Sequence, residues 1–197
     1  MLYHFHSEHW IAVPLNRVFE FFANPENLPR ISPPKQDARI EELRLVSPPR
    51  HPLGLRATGF AGIGSEMVMS FRASRLLPRR IRWRARIVDF EWDRYFIDAQ
   101  VKGPMEFWTH RHGFERSERD GTEGTLIRDD IEYGPGFGML GGVADALVIR
   151  HSLRNMFDYR REAVERLLPP ARKTDLPPQI ADRLQKVGEQ LKRLSTK

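Results

Sequence analysis

His110 and His112 stand two residues apart in the segment Trp108-Thr109-His110-Arg111-His112-Gly113-Phe114. In extended backbone alternate side chains share a face, so Trp108, His110, His112 and Phe114 point the same way. Imidazoles at this spacing can ligate a metal. The nearby sequence indicates no third ligand, and no metal is expected. As partly buried polar residues they would instead hydrogen-bond to neighbours. The next extended run puts Thr125, Ile127, Asp129, Ile131 and Tyr133 on one face. If the two runs pair as a hairpin, Asp129 comes near the histidines. A His–Asp pair in an apolar pocket can transfer protons or orient a polar group of a ligand. Asp98 and Gln100 share the face of Phe96, where polar side chains are unusual for a plain core and argue for a polar pocket wall.

No strong catalytic signature accompanies these residues. The sequence has no Walker A loop, no dinucleotide glycine fingerprint, no Gly-x-Ser-x-Gly elbow and no His-Glu-x-x-His. Gly59-Phe60-Ala61-Gly62-Ile63-Gly64 is glycine-rich, but no helix opening with Lys-Ser/Thr follows it, so it reads as a loop.

The elements that must hold these residues follow from hydrophobic period. Tyr3 to Val13 reads as a first strand. Pro14 pre-sets a short helix through Val18, Phe19, Phe21 and Phe22, and a second short helix starts at Pro25 with Asn24 as its cap. Strands are expected at 39–46, 66–73, roughly 80–90, 95–101, 105–116 and 125–133, joined by turns tight enough for antiparallel pairing. Then Leu140, Val143, Leu147, Leu153, Met156, Phe157, Val164 and Leu167 recur at spacings of mostly three and four. That is one helix over about 140–168, roughly 40 Å long. The fold class is α+β. A curved antiparallel sheet of about six to seven strands wraps a long C-terminal helix, with short helices after the first strand.

With 197 residues the chain is sized for one domain, placed at 1–168. Residues 169–197 form a proline-containing linker and a basic amphipathic helix, with Ile180, Leu184, Val187, Leu191 and Leu194 on its apolar stripe. That helix is expected to dock on the body or on a second chain as a homodimer, ahead of transient contact with a membrane surface. The net charge is +6, of which this tail holds seven basic and three acidic residues, +4. The body is too balanced to suggest nucleic-acid binding. Seven arginines between Arg72 and Arg86 read as the solvent face of a strand, because Ile81, Trp83, Ala85 and Ile87 alternate with them. There is no cysteine, no apolar run approaching a membrane span and no signal-like opening, so the chain reads as cytoplasmic.

Several segments together resemble the START/Bet v 1-like (SRPBCC) superfamily, and more closely its polyketide cyclase/dehydrase and lipid-transport members. They are Ile11-Ala12-Val13-Pro14 with Val18-Phe19 and Phe21-Phe22, Asn24-Pro25-Glu26-Asn27-Leu28, Phe96-x-Asp98-x-Gln100, Gly103-Pro104, Trp108-x-His110-x-His112-x-Phe114, Gly124-Thr125, Asp129-x-Ile131-x-Tyr133 and Gly136-Phe137-Gly138. The resemblance covers about residues 3–168 and implies a helix-grip fold with a cavity for a hydrophobic molecule such as a lipid, quinone or polyketide-like compound. The lining it implies is Met69, Phe71, Trp83, Phe96, Trp108, His110, His112, Phe114, Asp129 and Tyr133, with Met156 and Phe157 from the long helix. No cofactor is implied. Two alternatives stay open: a cyclase, aromatase or dehydratase in which His110, His112, Asp129 or Tyr133 moves protons, and a protein-interaction module supported by the tail.

Overall fold

The computed structural model describes residues 1–51, 58–72, 79–135 and 142–170, the side chains of 142–146 excepted. The basic tail beyond 170, its proposed helix and Gly136-Phe137-Gly138 lie outside the described residues.

Strands β1 (Tyr3–Ile11), β2 (Arg39–Arg44), β3 (Glu66–Arg72), β4 (Arg80–Glu91), β5 (Tyr95–Lys102), β6 (Phe107–Arg119) and β7 (Thr122–Gly134) form one antiparallel sheet in the order β1-β7-β6-β5-β4-β3-β2. Helix α1 (Leu15–Ala23) follows β1, and helix α2 (Gly142–Leu167) follows β7. The second short helix is a 3-10 helix, Pro25–Ile31, with the Asn24 side chain accepting from the Glu26 amide. Pro29 inside it removes a donor that an α-helix would need. A further 3-10 turn, Pro34–Gln36, went unforeseen, as did the stop of β2 at Arg44, two residues short of the expected strand end.

Curvature comes from irregular pairing. Register shifts interrupt β4–β5 between Arg84 and Ala85 and between Ile87 and Asp89, and β2–β3 between Ile40 and Glu42. Each local insertion bends the strand and adds twist. At the other edge, Gly124 lets the end of β1 lie down on β7: a Cβ there would sit 2.4 Å from the Ile11 carbonyl oxygen. The neighbouring Thr125 hydroxyl donates to the Val13 carbonyl at 2.7 Å.

Two apolar clusters hold the helices on the concave face. One surrounds α1: Phe19, fully buried, meets Phe90, Trp92, Phe96 and Phe114 with ring centroids 5.2–6.2 Å apart, and the C-terminal end of α2 joins through Ala163, Val164 and Leu168. The other joins Phe5, Trp108, Ile131 and Tyr133 to Ile149, Leu153 and Phe157 of α2. Between the clusters, on the same stripe of α2, is Arg160.

Deleting the Phe19 ring removes the hub of the first cluster. Phe19→Ala is expected to cost about 3–5 kcal/mol in urea denaturation. A cost near zero would show that α1 is not packed as described.

Candidate functional site

The ladder sets the geometry. Asp98 on β5 lies directly across from His110 on β6, and His112 lies directly across from Asp129 on β7. The side-chain bonds run along the diagonals, which antiparallel neighbours can reach. His110 Nε2 is 2.8 Å from Asp129 Oδ1, and His112 Nε2 is 3.0 Å from Asp98 Oδ2. His112 Nδ1 lies 3.1 Å from the same Asp129 oxygen, near enough for charge attraction but without hydrogen-bond alignment. The two imidazole centroids are 3.7 Å apart. The pair of rings is thus held between two carboxylates, Asp98 on one side and Asp129 on the other.

Arg160 of α2 completes the group. It is 6% exposed, its Nη1 is 4.0 Å from Asp129 Oδ1, and its guanidinium carbon is 4.8 Å over the Phe157 ring. Its Nε and Nη1 make no hydrogen bond among the described residues. Isolated buried charge is costly, so the charges here must balance locally.

Protonation follows from this arrangement. Burial works against a charged His112, but Asp129 and Asp98 outweigh it and raise its pKa above the ordinary imidazole value. Burial, aided by the charge of His112, lowers that of His110, against the pull of Asp129 and Asp98. Burial alone would raise both carboxyls, yet the imidazoles hold Asp98 low and Asp129 well below the usual carboxylate range. Burial also lowers the Arg160 pKa, opposed by Asp129 and Asp98, though a guanidinium stays charged. The opposite shifts favour the charged form at His112 and the neutral form at His110.

Asp98, His110, His112 and Arg160 of this group line a cavity of about 410 Å³ between the sheet and α2. Of the residues expected at the site, Met69, Phe71, Trp83, Phe96, Asp98, Trp108, His110, His112 and Met156 line it. The structure does not bring Gln100, Phe114, Asp129, Tyr133 or Phe157 to the cavity wall. Gln100 is spent on the turn before β6: its Nε2 donates to the Met105 carbonyl at 2.7 Å and its Oε1 accepts from the Met105 amide. Phe114 packs under α1, and Tyr133 and Phe157 pack with Phe5 in the second cluster. Asp129 stands behind the histidines. Phe21, Phe22, Leu28, Ile31 and Ser32, with Ala85, Ile149 and Leu153, complete much of the apolar wall.

Arg160 was missed. The signal was present, because 160 lies three and four residues from Phe157 and Val164 on the apolar stripe of α2, where a charge needs a buried partner.

No protein-family model matches the chain, and no curated protein does. Among solved structures the chain is similar to TTHA0849 from Thermus thermophilus, at 16% identity and a TM-score of 0.55, covering 82% of this chain and 96% of that one. It is similar also to ginseng major latex-like protein 151 from Panax ginseng, at 12% identity and a TM-score of 0.57, covering 86% and 99%. The seven-stranded curved sheet gripping a C-terminal helix is the helix-grip fold of START/Bet v 1-like proteins, as the sequence motifs implied.

Asp129→Asn leaves the imidazolium and guanidinium without their shared counter-charge, and is expected to cost about 3–5 kcal/mol near neutral pH. A carboxyl with a depressed folded pKa stabilises the fold above its unfolded value and loses that contribution as pH falls. The stability gap between wild type and variant in urea should therefore be full near neutral pH and narrow below about pH 4. An unchanged gap at about pH 3 would contradict the assignment.

Proposed function

We propose that the chain binds an apolar small molecule with a polar end in the cavity between the sheet and α2. The observation that carries this reading is a mostly apolar cavity with a buried polar group in its wall. Its wall is mostly aromatic and aliphatic, and Asp98, His110, His112 and Arg160 converge at one place. A volume of about 410 Å³ falls within the range of ligand sites. A lipid, quinone or polyketide-like compound would place its chain or rings against Met69, Phe71, Trp83 and Met156 and its oxygen at the imidazoles.

Proton transfer on the bound molecule is the second reading, as in a cyclase or dehydratase. It is favoured by the opposite shifts of two neighbouring imidazoles, which supply one acid and one base side by side. No helix among the described residues is long and apolar enough to cross a membrane. Cytoplasmic residence fits the cysteine-free composition. Transient membrane contact or dimerisation through the basic tail would deliver or release the ligand.

Trp83 and Trp108 line the cavity in a T-shaped pair with centroids 4.9 Å apart, whereas Trp10 and Trp92 do not line it. In a Trp10→Phe/Trp92→Phe background, titration with long-chain fatty alcohols or ubiquinone analogues is expected to shift and quench the remaining emission saturably. Ala85→Phe, from the cavity wall, should weaken that binding at least about tenfold, the loss of roughly 1.4 kcal/mol of contact, with the fold intact. Absence of any saturable change in the wild-type cavity would overturn the reading.

A further inference from the structure

We propose that Asp98, His110 and His112 form a site for one divalent transition-metal ion of the zinc type, with Asp129 as the orienting carboxylate behind it. Sequence spacing offered two imidazoles and no third ligand. The β5–β6 pairing supplies the third from twelve residues upstream of His110.

One donor atom from each of the three side chains lies within 4.8 Å of the others. Asp98 Oδ2 is 3.0 Å from His112 Nε2 and 3.7 Å from His110 Nδ1. Bonds of about 2.0–2.2 Å in a tetrahedron separate neighbouring donors by about 3.3–3.6 Å, so the two distances bracket what a bound ion requires. The rotamers are already held. Asp129 Oδ1 is 2.8 Å from the far nitrogen of His110, Nε2, and 3.1 Å from the far nitrogen of His112, Nδ1. A carboxylate behind a ligating histidine fixes the tautomer and turns the free lone pair toward the metal. Asp129 does this for His110 through a hydrogen bond, and attracts the His112 ring by charge alone. Arg160 lines the same cavity, with its Nη1 4.0 Å from Asp129 Oδ1, so its charge also faces this group.

The site also has the layout of an open one. Asp98, His110 and His112 line the cavity and Asp129 does not, so the orienting carboxylate lies on the protein side and the vacant coordination positions face the ligand space. Three protein donors with a free position is the pattern of catalytic rather than structural zinc. An oxygen of the cavity's ligand would complete the coordination. This inference stands on the side-chain geometry and holds whether or not the apolar ligand proposed above is the right class.

The test is cobalt and zinc binding by the full chain after treatment with a chelator. His4 and His6 are exposed and close to carboxylates, so both are first replaced by alanine. Co2+ is expected to produce a visible ligand-field band that saturates at one equivalent, with Zn2+ displacing it at a Kd on the order of 1 µM or tighter. Asp98→Asn and His112→Gln should abolish the band, and Asp129→Asn should weaken binding about 10–100-fold without changing its stoichiometry. If a variant does not fold, nitrogen-15 spectra of the wild-type imidazoles decide: Zn2+ must shift His110 and His112 and leave His151 in place. No band and no shift at about 100 µM metal, far above that Kd, would overturn the site, as would one-equivalent binding that survives in a folded His110→Gln/His112→Gln variant.

Discussion

The structure depends on placing a guanidinium inside the protein. Arg160 sits on the buried stripe of α2, where the turns before and after it carry apolar residues. An uncompensated charge there would cost more than the neighbouring contacts return. Asp129 meets it, and the imidazoles of His110 and His112 tie Asp129 to Asp98. These contacts link three adjacent strands to one helix at a single depth. They favour the rotation of α2 that keeps Arg160 beside its counter-charge. Two apolar clusters hold the helix at either end, and the charged group between them sets which face it presents.

The interior is not simply filled. The register shifts between β4 and β5 curve the sheet, and Ala85 presents a small side chain at the wall. The resulting space is lined mainly by apolar side chains, with Asp98, His110, His112 and Arg160 among its polar members. The Trp83–Trp108 pair, which lines the cavity and packs beside Tyr133, keeps that boundary rigid.

Much of this was legible because β-structure writes its faces into alternation. Trp108, His110, His112 and Phe114 do share a face, and the hairpin brings Asp129 across from His112. The long helix ends within one residue of its period-based limit. What alternation cannot express is depth along a face. Phe114 and Trp108 belong to one side of β6, yet the first is covered by α1 and the second reaches the cavity, because α1 covers only that end of the sheet. Gln100 faces inward, but a glycine–proline turn brings the Met105 backbone within its reach, a tertiary closeness no spacing rule shows. Asp98 reads from the sequence as a polar wall and not as a metal ligand, because which residue of β6 faces it is set by strand pairing that alternation alone does not give.

The central claim is that this interior takes up a small molecule. Native mass spectrometry tests it most directly on freshly purified protein and on protein incubated with a mixture of long-chain alcohols, quinones and fatty acids. The account predicts a population one small-molecule mass heavier than the bare chain, which reverts to the bare mass on denaturation and is reduced by Ala85→Phe. A spectrum showing only the bare chain, before and after incubation, would contradict it.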